Sequence, residues 1–405
     1  MFIIIEMGLG ENMALLKQKM TGLSVIAVLV VLTVFGAAMM GSVLGSKPKE
    51  IPVALVVLDQ PAELPTGGAL AAGMMIKEKL TSNPALPIAW EIVDSEERAR
   101  AGMDGREFYG ALVLPADLSS GLLSLASAEP QPASATILVN EGMNTQASTV
   151  VKQILDQAMR MVGLELSNQL LAQIGQQAGQ IPVNAAQAML TPLIVKEEIV
   201  HPAGTNNANG NAPGLLTQIM WIGSLVTAMT LFLAGQGAGT AGSGRWASVA
   251  LQGAVGLAIT GIASGFVVWM ASSWYGMELA SAGGTWMFLW LVAAAFFLLQ
   301  SSLLNWIGMP AMALLVLLMF FSMPLLSMAP EFLSSATRDW IYSWTPLRFA
   351  SGGLREVMYF GGWDAVGSSG TVLWSLAGGF LALLLLSGVK KSKSAKAGGS
   401  LAGGV

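Results

Sequence analysis

One uncharged apolar run stands near the start of the chain, a long polar stretch follows, and five more apolar runs are packed close together after it. The first run, 21–44, reads TGLSVIAVLVVLTVFGAAMMGSVL. About 20 helical residues cover a hydrocarbon core of roughly 30 Å, so a run this long and this apolar predicts a membrane crossing. The others lie near 214–234, 247–271, 285–305, 309–328 and 371–389. This spacing predicts a polytopic α-helical membrane protein with six transmembrane helices. One extracytoplasmic α/β domain is inserted between spans one and two.

Only 11% of the residues are charged, against about a quarter in soluble domains. They fall mostly in the polar stretch and the tails, so the spans are more apolar still. The net charge of −4 is too small and too dispersed for a nucleic-acid partner. The chain has no cysteine, which excludes disulfides, thiolate nucleophiles and Cys-ligated metal sites. The first run exceeds the 7–15 residues of a signal-peptide core, so it is expected to stay as an anchor.

Lys17 and Lys19 precede the first span, and Lys390, Lys391, Lys393 and Lys396 follow the last. Arg245 lies in the short loop between spans two and three, while the loop 272–284 carries only Glu278. Short loops rich in Lys and Arg stay cytoplasmic. The expected layout in the membrane follows. Residues 1–20 form a cytoplasmic segment and 21–44 the first span. Residues 45–213 lie outside. Residues 214–389 form a five-span block with outer interfacial helices at 329–370, and 390–405 form a cytoplasmic Lys-rich tail. Arg338, Arg348 and Arg355 oppose this bias but lie outside by parity.

Within 45–213, Ile51–Leu58 reads as a buried strand and Ala69–Leu80 as a helix. Pro87–Val93 is a second strand, followed by a helix with Asp94 as its expected cap and Glu97 as capping-box partner. Phe108–Leu114 and Thr136–Val139 read as strands on either side of a short helix near 117–125. From Thr145 apolar residues recur at three- and four-residue spacing, which predicts a long helix. Leu193–Val200 reads as a returning strand. Alternating strands and helices imply a small α/β domain. The segment 203–213 (AGTNNANGNAPG) reads as a flexible hinge.

Little in the chain points to chemistry. His201 is the single histidine and is expected at the surface. Gly237–Gly242 matches G-x-G-x-x-G but follows a membrane helix rather than a strand, so it is read as a chance match. No G-x-x-x-x-G-K-[ST] loop is present, so no ATP binding through a P-loop is expected; no nucleophile–base or metal set appears either, so no cofactor is expected and the chain is not expected to be an enzyme. No span carries Asp, Glu, Lys, Arg or His in its interior, where ion-coupled transporters place relays. Gln218, Gln252, Gln300 and Asn305 are expected to make packing hydrogen bonds. Gly41/Gly45 and Gly261/Gly265 are G-x-x-x-G pairs that permit close helix approach, within the chain or between two copies.

The segment 340–363 (WIYSWTPLRFASGGLREVMYFGGW) is too polar to span yet rich in aromatic residues. Pro346 is suited to the first position of a helix. Arg348 and Arg355 lie seven apart, so on one face. Short helices in the outer interface are expected, interrupted at Gly352-Gly353, with Trp344, Phe349 and Met358 in the acyl boundary. Arg348, Arg355, Trp344 and Glu356 are the candidates for an interfacial anchor or for a gate over an exit path.

With these residues placed, the chain resembles the YhgE/Pip family of bacterial membrane proteins, which in turn resemble permeases of type-2 ABC exporters. The likeness lies in IPVALVVLDQ, WEIVDSEERARAGMDGREFYGALVLPADLS, ILVNEGMNTQASTVVKQIL and SWTPLRFASGGLREVMYFGG, in that order around the spans. Many relatives carry a longer helical insertion where this chain has only 144–213. The resemblance implies a permease-like fold, with span two and the helix before span six in the export core. It also implies an external domain suited to docking, as in phage adsorption or secretion accessories.

Two functional expectations follow. One is the transmembrane subunit of an exporter: a homodimer in the lipid bilayer, energised by a separate ATPase and moving an unidentified substrate outward. The other is a surface receptor or scaffold that moves nothing.

Overall fold

The computed structural model describes residues 48–64, 68–125, 127, 130–177, 183–237 and 244–389, together with Leu29 and Thr33. The first span apart from those two residues, Gly41 and Gly45, the segment 1–20, most of the 237–242 glycine motif and the tail 390–405 lie outside the described residues.

The polar stretch folds into an α/β layer. Its strands are β1 (Ile51–Val57), the short pair β2 (Ala62–Glu63) and β3 (Ala69–Leu70), β4 (Ile88–Val93), β5 (Gly110–Leu114), β6 (Ala133–Asn140) and β7 (Leu193–Val200). Between them run α1 (Ala72–Thr81), α2 (Glu96–Asp104), α3 (Leu118–Ser124), the 33-residue α4 (Thr145–Gln177) and α5 (Val183–Leu190). Five strands make one sheet in the order β4-β1-β5-β6-β7, parallel except between β5 and β6. β1 lies inside the sheet, between β4 and β5, and is apolar on both faces. Val53 and Leu55 enter one core layer with α1, α3 and α4. Ala54 and Val56 enter another with α2. Alternating side chains of one strand serve both layers, hence the unbroken apolar run. The outer strand β7 carries Lys196, Glu197 and Glu198, and charge on an edge opposes pairing with another sheet. Lys152 and Arg100 engage Glu197 and Glu198, each at 2.6 Å.

Two local points depart from expectation. The cap of α2 is Ser95, whose Oγ accepts from the Arg98 amide at 3.1 Å, and not Asp94. Ser95 has the extended backbone that aims its oxygen at the third helical amide. The segment 203–213 is also no free hinge. Thr205 N donates to Glu278 Oε2 at 2.9 Å, Asn206 Nδ2 to Gly276 O at 3.1 Å, and Asn207 Nδ2 to Glu278 O at 2.9 Å. Short polar side chains that tolerate left-handed backbone, as Asn206 and Asn209 do here, make a tight pinned loop as readily as a linker.

Beyond this loop come α6 (Ala212–Gly237), α7 (Gly244–Ser273), α8 (Ala282–Ile307), α9 (Ala311–Ser322), α10 (Pro346–Tyr359) and α11 (Ser368–Ser387). Four of them, α6, α7, α8 and α11, are long and apolar enough to cross a membrane. The expected span at 309–328 is the shorter α9, of 12 residues, prolonged by a 3₁₀ turn Met323–Leu326. α8 is the hub: 83% of its apolar window is buried, against 22% for α11, and α6, α7 and α11 pack around it. Close approach to α7 needs glycine. A Cβ at Gly256 would stand 1.8 Å from Phe297 Cζ, and one at Gly261 or Gly265 would stand 3.0 Å from the indole nitrogen of Trp290 or Trp286. Trp286 and Trp290 donate to the carbonyls of Gly261 and Leu257, each at 3.0 Å. Gln300 Nε2 donates to Trp221 O at 3.2 Å, and Asn305 Nδ2 to Ser301 O at 2.8 Å.

The two parts share a core. Ala329 and Phe332, from the segment after α9, pack into the layer formed by β1, α1 and α4. The sheet is thus seated directly on the helical block.

Candidate functional site

Two features lie where the sheet domain meets the helices. The larger is a cleft of about 1300 Å³. Its upper wall is polar, from Thr145, Gln146, Thr149 and Gln153 on α4 and from the pinned loop. Its floor is apolar, from Leu216 and Ile219 on α6 and from Val267 and Met270 on α7. Glu141 reaches its rim and accepts from Ala203 N at 3.2 Å. A space polar above and apolar below fits an amphiphile better than an ion or a sugar. None of its residues was a candidate from sequence. The polar wall is contributed by one helix and the floor by two others more than sixty positions away, so no contiguous motif marks it.

The second feature is the wedge helix α10, which runs unbroken from Pro346, its first residue. The expected interruption at Gly352-Gly353 is absent. Gly353 is needed for contact instead, since a Cβ there would stand 2.3 Å from Phe288 Cζ. α10 packs against α6, α8 and α11 below, and the sheet domain grips it from above. Arg106 ion-pairs with Glu356, whose carboxylate also accepts from Gly367 N at 3.0 Å and Ser369 Oγ at 3.3 Å. Glu356 is buried; Arg106 is about one-third exposed. His201, expected at the surface, instead bridges the parts. Its Nε2 lies 2.8 Å from Asp104 Oδ1, its Nδ1 lies 3.1 Å from Tyr359 O, and its ring lies 4.4 Å from that of Phe360. Tyr109 Oη donates to Glu331 Oε2 at 2.7 Å.

The expected anchor residues divide. Trp344 is exposed and donates to Trp340 O at 2.6 Å. Met358 is buried within the protein rather than turned to lipid. Arg348 lies over the rings of Tyr342 and Phe349, 4.4 Å from each centroid, and donates to Tyr342 O at 3.2 Å. Arg355 turns inward: its Nη1 is buried and has no hydrogen-bond partner. A helix gripped from both sides has no free face from which both arginines can snorkel, which is why the symmetrical anchor is not seen.

Burial pushes the phenols of Tyr109, Tyr342 and Tyr359 above the ordinary value, Tyr359 to about 12. A phenol held neutral in the fold ionises first in the unfolded chain. The stability is therefore intact below pH 10 and falls between about 10 and 12, a loss that reaches about 3 kcal/mol once both states are ionised. Tyr359→Phe should flatten this alkaline loss, measured as thermal unfolding in detergent across that range. An unchanged alkaline slope would dismiss the assignment.

A parallel-rich sheet seated on a helical block defines a mostly helical protein with an α/β domain ahead of four helices long and apolar enough to cross a membrane. The chain belongs to the DUF3533 family, described as a protein of unknown function, whose family model matches residues 23–379. Neither a curated protein nor a solved structure matches it.

Proposed function

We propose that the chain is the membrane subunit of an exporter, built like a YhgE/Pip-type or type-2 ABC permease, and that the cleft above α6 and α7 is where cargo leaves the bilayer. The observation that carries this is the two-toned cleft, polar toward the sheet domain and apolar toward two spans. Such a site suits an amphiphile passing from the outer leaflet. The helix before the last span grips both the sheet domain and the spans, so a change in one part is felt in the other. No described span carries a buried relay charge, so the energy is assigned to a separate ATPase, with two copies of this chain forming the pathway.

The topology of this proposal is six crossings, both termini cytoplasmic and the sheet domain outside. The α9 helix with its 3₁₀ extension rises roughly 26 Å, near enough to a core of about 30 Å to cross with slight local thinning. Single cysteines test the layout, because the native chain has none. Ser82→Cys, exposed at the end of α1, should label in intact cells. Ala247→Cys, exposed near the start of α7, should label only after permeabilisation. The reverse pattern would refute the orientation.

Transport itself is tested by efflux of fluorescent amphiphiles from cells with and without the protein. Efflux should need ATP and should be lost in Thr149→Trp, which fills the cleft from an exposed position. Equal retention in energised and depleted cells would favour the second reading, a receptor or scaffold. That reading is supported by the firm seating of the sheet domain on the helices.

A further inference from the structure

Beneath the sheet domain a second, smaller cavity of about 80 Å³ opens beside α10. Its polar lining comes from Tyr109, Asn144, Tyr342, Arg348, Ser351 and Arg355. Two guanidinium groups thus face one small space whose lining includes no carboxylate. The nearby Glu331 is outside this lining and accepts from the Tyr109 hydroxyl through Oε2. Arg348 is held by Tyr342 O and by two rings. Arg355 Nη1 is buried with nothing to donate to.

A buried charged donor left unpaired is costly, and such groups are retained where something satisfies them. Water does so weakly; an anion does so with charge-assisted bonds and also balances two cations. The volume has room for roughly two or three waters, or for one tetrahedral oxyanion. The planar fork of arginine matches phosphate oxygens. The position also fits: α10 precedes a span and packs against α6 and α8 beneath the sheet domain, which on the proposed topology is the level of headgroups rather than of acyl chains.

We propose that Arg355 and Arg348 form a binding site for a single phosphate group, presented by an anionic phospholipid headgroup or as the free ion. The occupant completes the seat of the sheet domain on α10 by neutralising a cation whose Nη1 is buried without a partner. This site is separate from the cargo cleft and stands whether or not the protein exports anything.

The test uses the full chain, delipidated in a neutral detergent, with thermal unfolding as the readout. Inorganic phosphate and phosphatidylglycerol are added separately, with phosphatidylcholine as control. Stabilisation by phosphate alone identifies the free ion as the source; stabilisation by phosphatidylglycerol but by neither phosphate nor phosphatidylcholine identifies the lipid. In either case Arg355→Gln should weaken the apparent affinity about tenfold or more, and Arg348→Gln by several-fold. Without anion, Arg355→Gln should be at least as stable as the native chain, because it removes an unpaired buried charge. Should Arg355→Gln not fold, Arg348→Gln carries the test, since Arg348 already has a backbone acceptor in Tyr342 O and lies over two rings. The proposal falls if neither additive stabilises the native chain, if phosphatidylcholine does so equally, or if the arginine variants respond as the native chain does.

Discussion

Glu356→Ala is expected to cost about 3 kcal/mol of stability and to loosen the sheet domain from the membrane block. The carboxylate is buried and holds three partners at once: Arg106 of the sheet domain, and the amide of Gly367 and the hydroxyl of Ser369 at the start of the last span. Removing one member of a buried pair leaves an uncompensated charge, which costs about 3–5 kcal/mol when both are fully enclosed. Arg106 is about one-third exposed, so water recovers part of the loss and the low end applies. Glu356→Gln keeps an acceptor for Gly367 and Ser369 and should lose less. A double-mutant cycle with Arg106→Ala separates the ion pair from the helix-start bonds. Thermal unfolding in detergent gives the stability, and limited proteolysis at the junction gives the loosening. A loss for Glu356→Ala within about 0.5 kcal/mol of native would show that the pair is not what joins the parts.

Much of the fold could be read from the residues, because it is written in local pattern. Leu193–Val200 has the strand bounds expected of it. The strand–helix alternation from Ile51 to Val200 is carried by apolar runs of strand length separated by helical spacing. Four spans announce themselves by length alone. The junction could not be read in this way. Arg106 and Glu356 are 250 positions apart, and His201 and Tyr359 are 158 apart; neither pair has a local signature. Gly352-Gly353 was misleading for a definite reason. In isolation each glycine weakens a helix by about 1 kcal/mol, but at Gly353 the missing side chain is what lets the helix lie against Phe288. The loop 203–213 misled likewise. Its Asn, Gly and Thr residues are those of a linker, and only the presence of Glu278 across the loop turns their donors into fixed contacts. The cleft follows the same rule, since its polar wall and apolar floor come from parts of the chain that meet only after folding.

The second large effect is expected at Phe332. This ring belongs to the segment that follows α9, yet it is 7% exposed and packs, with Ala329, into the core layer of the sheet domain. The backbone there is also tied to the domain, since Lys49 N donates to Glu331 O at 3.3 Å. Truncating a buried Phe to Ala removes its transfer energy and leaves a cavity, together about 3–5 kcal/mol. The loss should appear in the sheet domain, although the mutation lies in the membrane block. Protease sites in the sheet domain should therefore open in Phe332→Ala before any in the helices. The same reasoning predicts that residues 48–200 made alone are less stable than the same residues in the full chain, because a piece of their core is supplied from beyond them. Phe332→Leu, which keeps most of the volume, should recover the greater part. Native-like unfolding of Phe332→Ala would mean that the shared core does not bear on the stability of the domain, and the mechanical link between sheet and spans would then rest on polar contacts such as those of Glu356, His201 and Tyr109.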